Sequence, residues 1–188
     1  LHMDIGGGTS NLALIRDGEI VATGCLNVGG RLLKFGELGE ILYISPVLQR
    51  LCPFSLGDRP SKEQVAVLAQ SLVSALEMAA GLREETALLG QLTTPGTTMK
   101  IPREPVVLSF SGGVADCIEV SRPWLEFGDM GPVLGRKIRE SRLCQGQYRL
   151  GQETIRATVI GAGCHSTQLS GSTVFLQNVQ LPLQNLPV

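Results

Sequence analysis

Metal and redox chemistry have little to work with in this sequence. Its five cysteines, Cys25, Cys52, Cys117, Cys144 and Cys164, are an odd number with no Cys-x-x-Cys spacing among them. Neither a disulfide frame nor a zinc clip is expected, and the thiols read as reduced and mostly buried. His165 has no second histidine and no acid at ligand spacing, so it reads as a surface or satisfied polar residue rather than a metal ligand or base. Aromatic residues make up only 4% of the chain, and 16 lysines and arginines face 17 aspartates and glutamates with no basic block. No charged track or stacking platform is offered to a nucleic acid, which is not expected as a partner. Long apolar runs are missing too. The longest, 65–82, is broken by Gln70, Ser71, Ser74 and Glu77, so no membrane span is expected.

Glycine, by contrast, is plentiful, and its densest use is near the start. A short apolar run leads into Asp4-Ile5-Gly6-Gly7-Gly8-Thr9, and an alternating run follows from Asn11 to Arg16. The pattern predicts strand, glycine turn, strand. Glycines without side chains let backbone N–H groups converge on one point, with the Thr9 hydroxyl and the Asp4 carboxylate at its edge. That concavity suits a phosphate. Asp4 would repel it unless a divalent cation lay between, so the constellation predicts a nucleotide with magnesium, which Asp4 would hold through water. The plainer reading is a hairpin whose glycines only make a bend. A bend needs neither three glycines nor an acid before and a threonine after.

A second candidate lies downstream. Residues 106–110 form a short apolar strand of the buried parallel kind, Ser111-Gly112-Gly113 ends it, and 114–120 can start a helix. A glycine turn there lets a base or ribose lie against backbone at a helix start. The alternative is a tight turn without a ligand.

The rest of the chain organises around these two turns. Leu12 and Leu14 alternate with Ala13 and Ile15, a strand apolar on both faces and so expected to be covered on both. Asp17-Gly18 suits a two-residue hairpin turn, and 20–28 returns as a third strand. A small hairpin pairs 32–35 with 40–44, and a short helix is expected at 47–51. Ser61 with Gln64 makes a capping-box pattern ahead of Val65, Leu68, Leu72, Leu76 and Ala79, a helix period. Residues 90–105, rich in threonine and proline, read as a mobile surface loop. Further elements are a helix over 133–141, a strand at 147–150, a helix from Thr154 to Leu169 and a strand at 172–179. Gly161, Ala162 and Gly163 are poor helix formers inside that last helix.

Asp-Ile-Gly-Gly-Gly-Thr is similar to the second phosphate loop of the actin, sugar-kinase and heat-shock-chaperone ATPases. Taken with Cys25-Leu-Asn-Val-Gly-Gly-Arg-Leu-Leu33, Ser109-Phe-Ser-Gly-Gly-Val114, Arg156-Ala-Thr-Val-Ile-Gly-Ala-Gly163 and the ending Leu181-Pro-Leu-Gln-Asn-Leu-Pro-Val188, the chain resembles the reactivating factors of ethanolamine ammonia-lyase. The likeness covers the whole chain and is weakest over 34–105. It implies an α/β fold: one lobe of the actin-like, ribonuclease H-like ATPase fold, a mixed sheet with helices on both faces and small inserted segments. Residues 1–188 would be one domain, the second nucleotide-binding lobe of a larger protein. Because Leu1 falls inside the first strand, a fragment lacking an N-terminal lobe is expected.

The resemblance also implies ATP and Mg2+ as cofactors. Gly6, Gly7, Gly8 and Thr9 would hold the β- and γ-phosphates, Asp4 would serve the catalytic magnesium, and Ser111, Gly112 and Gly113 would back the adenosine. Gly161-Ala162-Gly163 would lie at the hinge between lobes. The implied partner is ethanolamine ammonia-lyase, and the implied place is the cytoplasm, in or beside a bacterial microcompartment. Three functions compete: an ATP-dependent, chaperone-like factor that releases damaged cobalamin from the lyase, a small-molecule kinase lobe, and a non-enzymatic actin-like assembly protein. The kinase would need an acid to deprotonate a hydroxyl, and none stands out.

Overall fold

The computed structural model describes residues 1–97, 102 and 106–151. The helix read over 154–169 with its small-residue hinge and Cys164-His165, the strand read at 172–179 and the proline-rich ending lie outside the described residues.

A five-stranded mixed sheet organises the chain. Strands β1 (His2–Ile5), β2 (Ser10–Arg16) and β3 (Glu19–Leu26) run as an antiparallel meander, turned at Asp17 (φ 52°) and Gly18 (φ 85°). That turn is the one the Asp-Gly pair predicts, because both residues tolerate the left-handed region. The sheet order is β3-β2-β1-β6-β7, with β6 (Leu108–Ser111) parallel to β1 and β7 (Tyr148–Leu150) parallel to β6. β6 is therefore flanked on both sides, as its apolar run requires.

The two faces of the sheet differ. Met3, Ile5, Leu12, Leu26, Leu108 and Phe110 are buried in one core with Leu72 and Leu76 of α1 (Lys62–Ala79) and Leu134 and Ile138 of α4 (Gly131–Arg139). The opposite row carries His2, Asp4, Asn11, Ala13, Thr23 and Ser109, all half-buried or exposed. Coverage of both faces is thus not met by the described residues. The far end of β2 corrects the sequence reading in the same sense: Ile15 is exposed, and Ile20 and Val21 of β3 are exposed beside it. An alternation of apolar residues was a poor guide because the hairpin extends past the packed part of the sheet.

α1 begins at the expected capping box. Gln64 N donates to the Ser61 hydroxyl at 3.3 Å and Ser61 N donates to Gln64 Oε1 at 2.8 Å, satisfying orphan donors at the first turn. Val65, Leu68, Leu72, Leu76 and Ala79 are all buried, so the helical period carries the core face. Residues 90–105 are not wholly loop. α2 (Ala87–Leu92) runs into them, Leu92 is fully buried, and Thr93 bridges Leu26 at the end of β3. The short helix expected at 47–51 is a 3-10 turn at Pro46–Leu48, its first turn preset by proline.

The inserted hairpin pairs β4 (Leu33–Phe35) with β5 (Ile41–Ile44) as a separate two-stranded sheet. Phe35 N donates to Gly128 O at 2.8 Å, and Trp124 meets Phe35 edge-on with ring centroids 5.5 Å apart. Trp124 is thus a packing plug between hairpin and main body, as its isolation in the sequence suggests. α3 is a single turn, Asp116–Glu119, and α4 starts at Gly131 rather than at Val133, with Pro132 in its first turn.

Candidate functional site

Every parallel strand delivers its carboxyl end to one edge of the sheet, and in open α/β sheets that edge is where ligands bind. β1 ends there in Gly6-Gly7-Gly8, β3 in Gly29-Gly30 and β6 in Ser111-Gly112-Gly113. The two glycine turns singled out in the sequence are neighbours because β1 pairs with β6 in parallel, setting Asp4 beside Ser111.

Gly112 adopts φ 87°, a conformation favouring glycine, and a Cβ there would overlap the Ile5 carbonyl and stand 2.6 Å from Asp4 Oδ1. Val114 N donates to Ile5 O at 3.1 Å, fixing the second turn on the end of β1. Gly8 and Gly113 meet the opposite condition, with open space where a side chain would be. The second turn therefore sits on the end of β1 beside the first, and the two are open at Gly8 and Gly113, a cradle of bare backbone.

The predicted residues do not all contribute alike. Gly6 N donates to Thr9 O at 2.9 Å, so its donor is spent on closing the turn. Gly7 is lined by the Arg31 stem, and Gly8 is open where a side chain would be. Ser111 is buried, and its hydroxyl shares a hydrogen bond of 2.9 Å with His2 Nε2, while His2 Nδ1 is 2.9 Å from Ser109 Oγ. Ser111 thus braces the strand end. His2 escaped the sequence reading, and burial lowers its pKa, favouring the neutral ring that such paired hydroxyls suit. Asp4 is half-buried in line with Asn11 and Ser111, and lines a shallow cleft of about 370 Å³ with His2, Asn11, Thr23 and Thr97.

The Gly29-Gly30 turn after β3 also joins the site, a role that sequence reasoning did not give it. Gly30 N donates to Gly6 O at 3.0 Å, Arg31 N donates to Gly7 O at 2.6 Å, and Met130 N donates to Gly30 O at 2.9 Å. A Cβ on Gly30 would stand 3.0 Å from the Gly131 Cα. Asp129 Oδ1 accepts from Gly131 N at 2.8 Å and Oδ2 lies 3.7 Å from Arg31 Nε. Burial raises the Asp129 carboxyl above its ordinary pKa, with the Gly131 amide and Arg31 opposing. The available signal was the double glycine before an arginine, paired with Gly-Asp-Met-Gly-Pro later in the chain. Among the described residues no group of three or more histidines, cysteines, aspartates and glutamates could hold a metal ion, and no helix is long and apolar enough to cross a membrane.

Fold and site together define a mixed α/β unit with a glycine-built cradle at the carboxyl ends of its parallel strands. The chain belongs to the family described as ethanolamine utilisation protein EutA, whose model matches residues 1–188. It is 39% identical over 197 residues to the ethanolamine ammonia-lyase reactivase EutA of Salmonella typhimurium, and 38% identical over 194 residues to that of Escherichia coli strain K12. Each alignment covers 100% of this chain but only 41% of the relative, so the chain spans about two fifths of the length of these curated proteins. No solved structure matches it.

Proposed function

We propose that this chain is one lobe of an ATP-dependent reactivating factor for ethanolamine ammonia-lyase, the second of two actin-like lobes that close around the nucleotide. The observation that carries the reading is the seating of the Ser111-Gly112-Gly113 turn on the end of β1, immediately before the Gly6-Gly7-Gly8 loop, with Asp4 at the junction. A nucleotide has a phosphate end and a nucleoside end, and the cradle has a turn for each. The meander β1-β2-β3 with β6 parallel to β1 suits such a lobe.

Gly7, Gly8 and Thr9 would receive the β- and γ-phosphates, with Gly6 closing the turn beneath them. Asp4 would orient water ligands of Mg2+, the remaining ligands coming from phosphate and solvent, since magnesium keeps several waters and few carboxylates. Ser111, Gly112 and Gly113 would back the adenosine. When bound, MgATP supplies a ligand whose affinity differs between open and closed lobes, which is what a release cycle requires. The lyase would be the client, and the outcome would be release of damaged cobalamin so that intact adenosylcobalamin can enter.

The test uses a protein carrying both lobes, with lyase inactivated by bound cyanocobalamin. Recovery of lyase activity that depends on MgATP and added adenosylcobalamin is expected. Asp4→Asn should keep the fold yet weaken magnesium-dependent nucleotide binding by roughly tenfold or more, because a neutral amide cannot balance the cation. This chain alone should turn over ATP no faster than background, since charge on the phosphoryl oxygens must be met from both sides. Absence of recovery with the unmodified protein refutes the reactivating role.

A further inference from the structure

The cradle is built from neutral backbone and one carboxylate, Asp4, while the ligand proposed for it is strongly anionic. Arg31 is the cation tied to it directly. Its backbone N–H donates to the Gly7 carbonyl at 2.6 Å. Its alkyl stem lies along Gly7, whose absent Cβ would meet Arg31 Cδ at 3.1 Å and Cγ at 3.3 Å. The side chain is nevertheless 70% exposed, so the stem is fixed on the loop while the head reaches solvent beside it.

Asp129 sets where that head rests. Its side chain is only 12% exposed and its Oδ1 is already held by Gly131 N at 2.8 Å, so the carboxylate is immobilised. Arg31 Nε stands 3.7 Å from Oδ2, beyond hydrogen-bond range, a loose ion pair that leaves the guanidinium donors able to engage another anion. A guanidinium presents a planar fork that matches two phosphate oxygens, and its weak hydration makes exchange from a carboxylate to a phosphate inexpensive.

We propose that Arg31 is the cationic contact this lobe gives to the phosphates of the bound nucleotide, with Asp129 as its positioning residue. The inference rests on the nucleotide reading above and extends it to a residue and a turn outside the two loops. It also gives Gly7 a second role, because any side chain there would displace the arginine stem.

The experiment is calorimetric titration of the two-lobed protein with MgATP and, separately, with adenosine. Arg31→Met keeps an unbranched stem over Gly7 and removes the charge. Its affinity for MgATP should fall by roughly tenfold or more, the worth of a hydrogen bond to a charged group, while adenosine binding stays unchanged. Arg31→Lys should recover part of the loss, since charge returns without the fork. Asp129→Asn should weaken MgATP less than Arg31→Met does, by loosening the rest position. Equal MgATP affinity in the wild type and Arg31→Met overturns the inference, as does a parallel loss of adenosine binding or a Lys variant as weak as the Met variant. A wild type that binds adenosine or nothing, but not MgATP, overturns instead the nucleotide reading beneath it. Should Arg31→Met fail to fold, Arg31→Gln is titrated in the same way and judged by the same outcomes.

Discussion

Gly29 lays its bare Cα against the Gly7 peptide: a Cβ there would overlap the Gly7 carbonyl oxygen and stand 2.8 Å from the Gly8 nitrogen. The neighbour is backbone, which cannot turn aside as a side chain can. The turn after β3 and the loop after β1 are thus one packed unit. Gly29→Ala should destabilise the chain by about 1–3 kcal/mol, the usual cost of forced overpacking. In the two-lobed protein the same change should weaken nucleotide binding, because relief of the clash must shift Gly7 and Gly8. Chemical denaturation and titration read the two effects, and an alanine variant unchanged in both would show that the turns are separable.

A second close approach ties α3 to α4. A Cβ on Gly135 would overlap Cys117 Cβ and lie 2.8 Å from the Cys117 carbonyl oxygen. Helix propensity alone favours Gly135→Ala by about 1 kcal/mol. Overpacking against a buried neighbour opposes it by about 1–3 kcal/mol. The net effect should be destabilisation, seen as a lower thermal midpoint, and a higher midpoint would mean that α3 yields.

Glu77 is expected to matter more than its position in a helix suggests. It is buried, accepts from Arg83 Nε at 2.7 Å and from Arg142 N at 3.0 Å, and so joins the end of α1 to the turn after α4. Arg83 is 40% exposed, but the Glu77 carboxylate is only 2% exposed, so removing either partner strands a buried polar group. Loss of Glu77 leaves the Arg142 amide without its acceptor, and loss of Arg83 leaves the carboxylate without its counter-charge. Glu77→Ala should therefore cost about 2 kcal/mol, and Arg83→Ala as much or more, about 3 kcal/mol. An Arg83→Ala cost below about 1 kcal/mol would show that water replaces the guanidinium beside Glu77.

What the sequence made legible were features with a local cause. The Asp17-Gly18 turn, the Ser61 to Gln64 cap and the period of α1 each follow from neighbouring residues, and each is found where expected. The adjacency of Asp4 to Gly112 was only half legible, since an apolar run at 106–110 implies a buried parallel strand without saying which strand it joins. Arg31, Asp129 and Gly131 were not legible as a group. Arg31 is far in sequence from Asp129 and Gly131, and it meets them only because β3 returns beside the glycine loop and α4 begins against Gly30. The exposed end of the β2–β3 hairpin misled for the opposite reason, because apolar alternation records a strand and not what covers it.

Cys117 and Cys144 are buried, and burial pushes both from an ordinary 9.0 up to about 11. At about pH 8 each would be ionised in about one molecule in a thousand, and the thiolate is the reactive form. Alkylation of the native protein, followed by mass spectrometry, should therefore modify Cys117 and Cys144 far more slowly than half-buried Cys25. The same shift has a sign for stability. A thiol whose folded pKa is raised contributes fully below the unfolded value and loses that contribution as pH rises through the folded one. Denaturant midpoints should hold up to about pH 9 and fall toward about pH 11, where the unfolded chain releases its protons first. Tyr148, raised by burial and Glu119 from 10.0 to about 12, adds to the fall above about pH 10. Between about pH 9 and about pH 10 the slope therefore belongs mainly to the thiols, and a Cys117→Ala, Cys144→Ala double variant should flatten it. An unchanged slope in that variant would assign the alkaline loss to other groups and remove Cys117 and Cys144 from the account of stability.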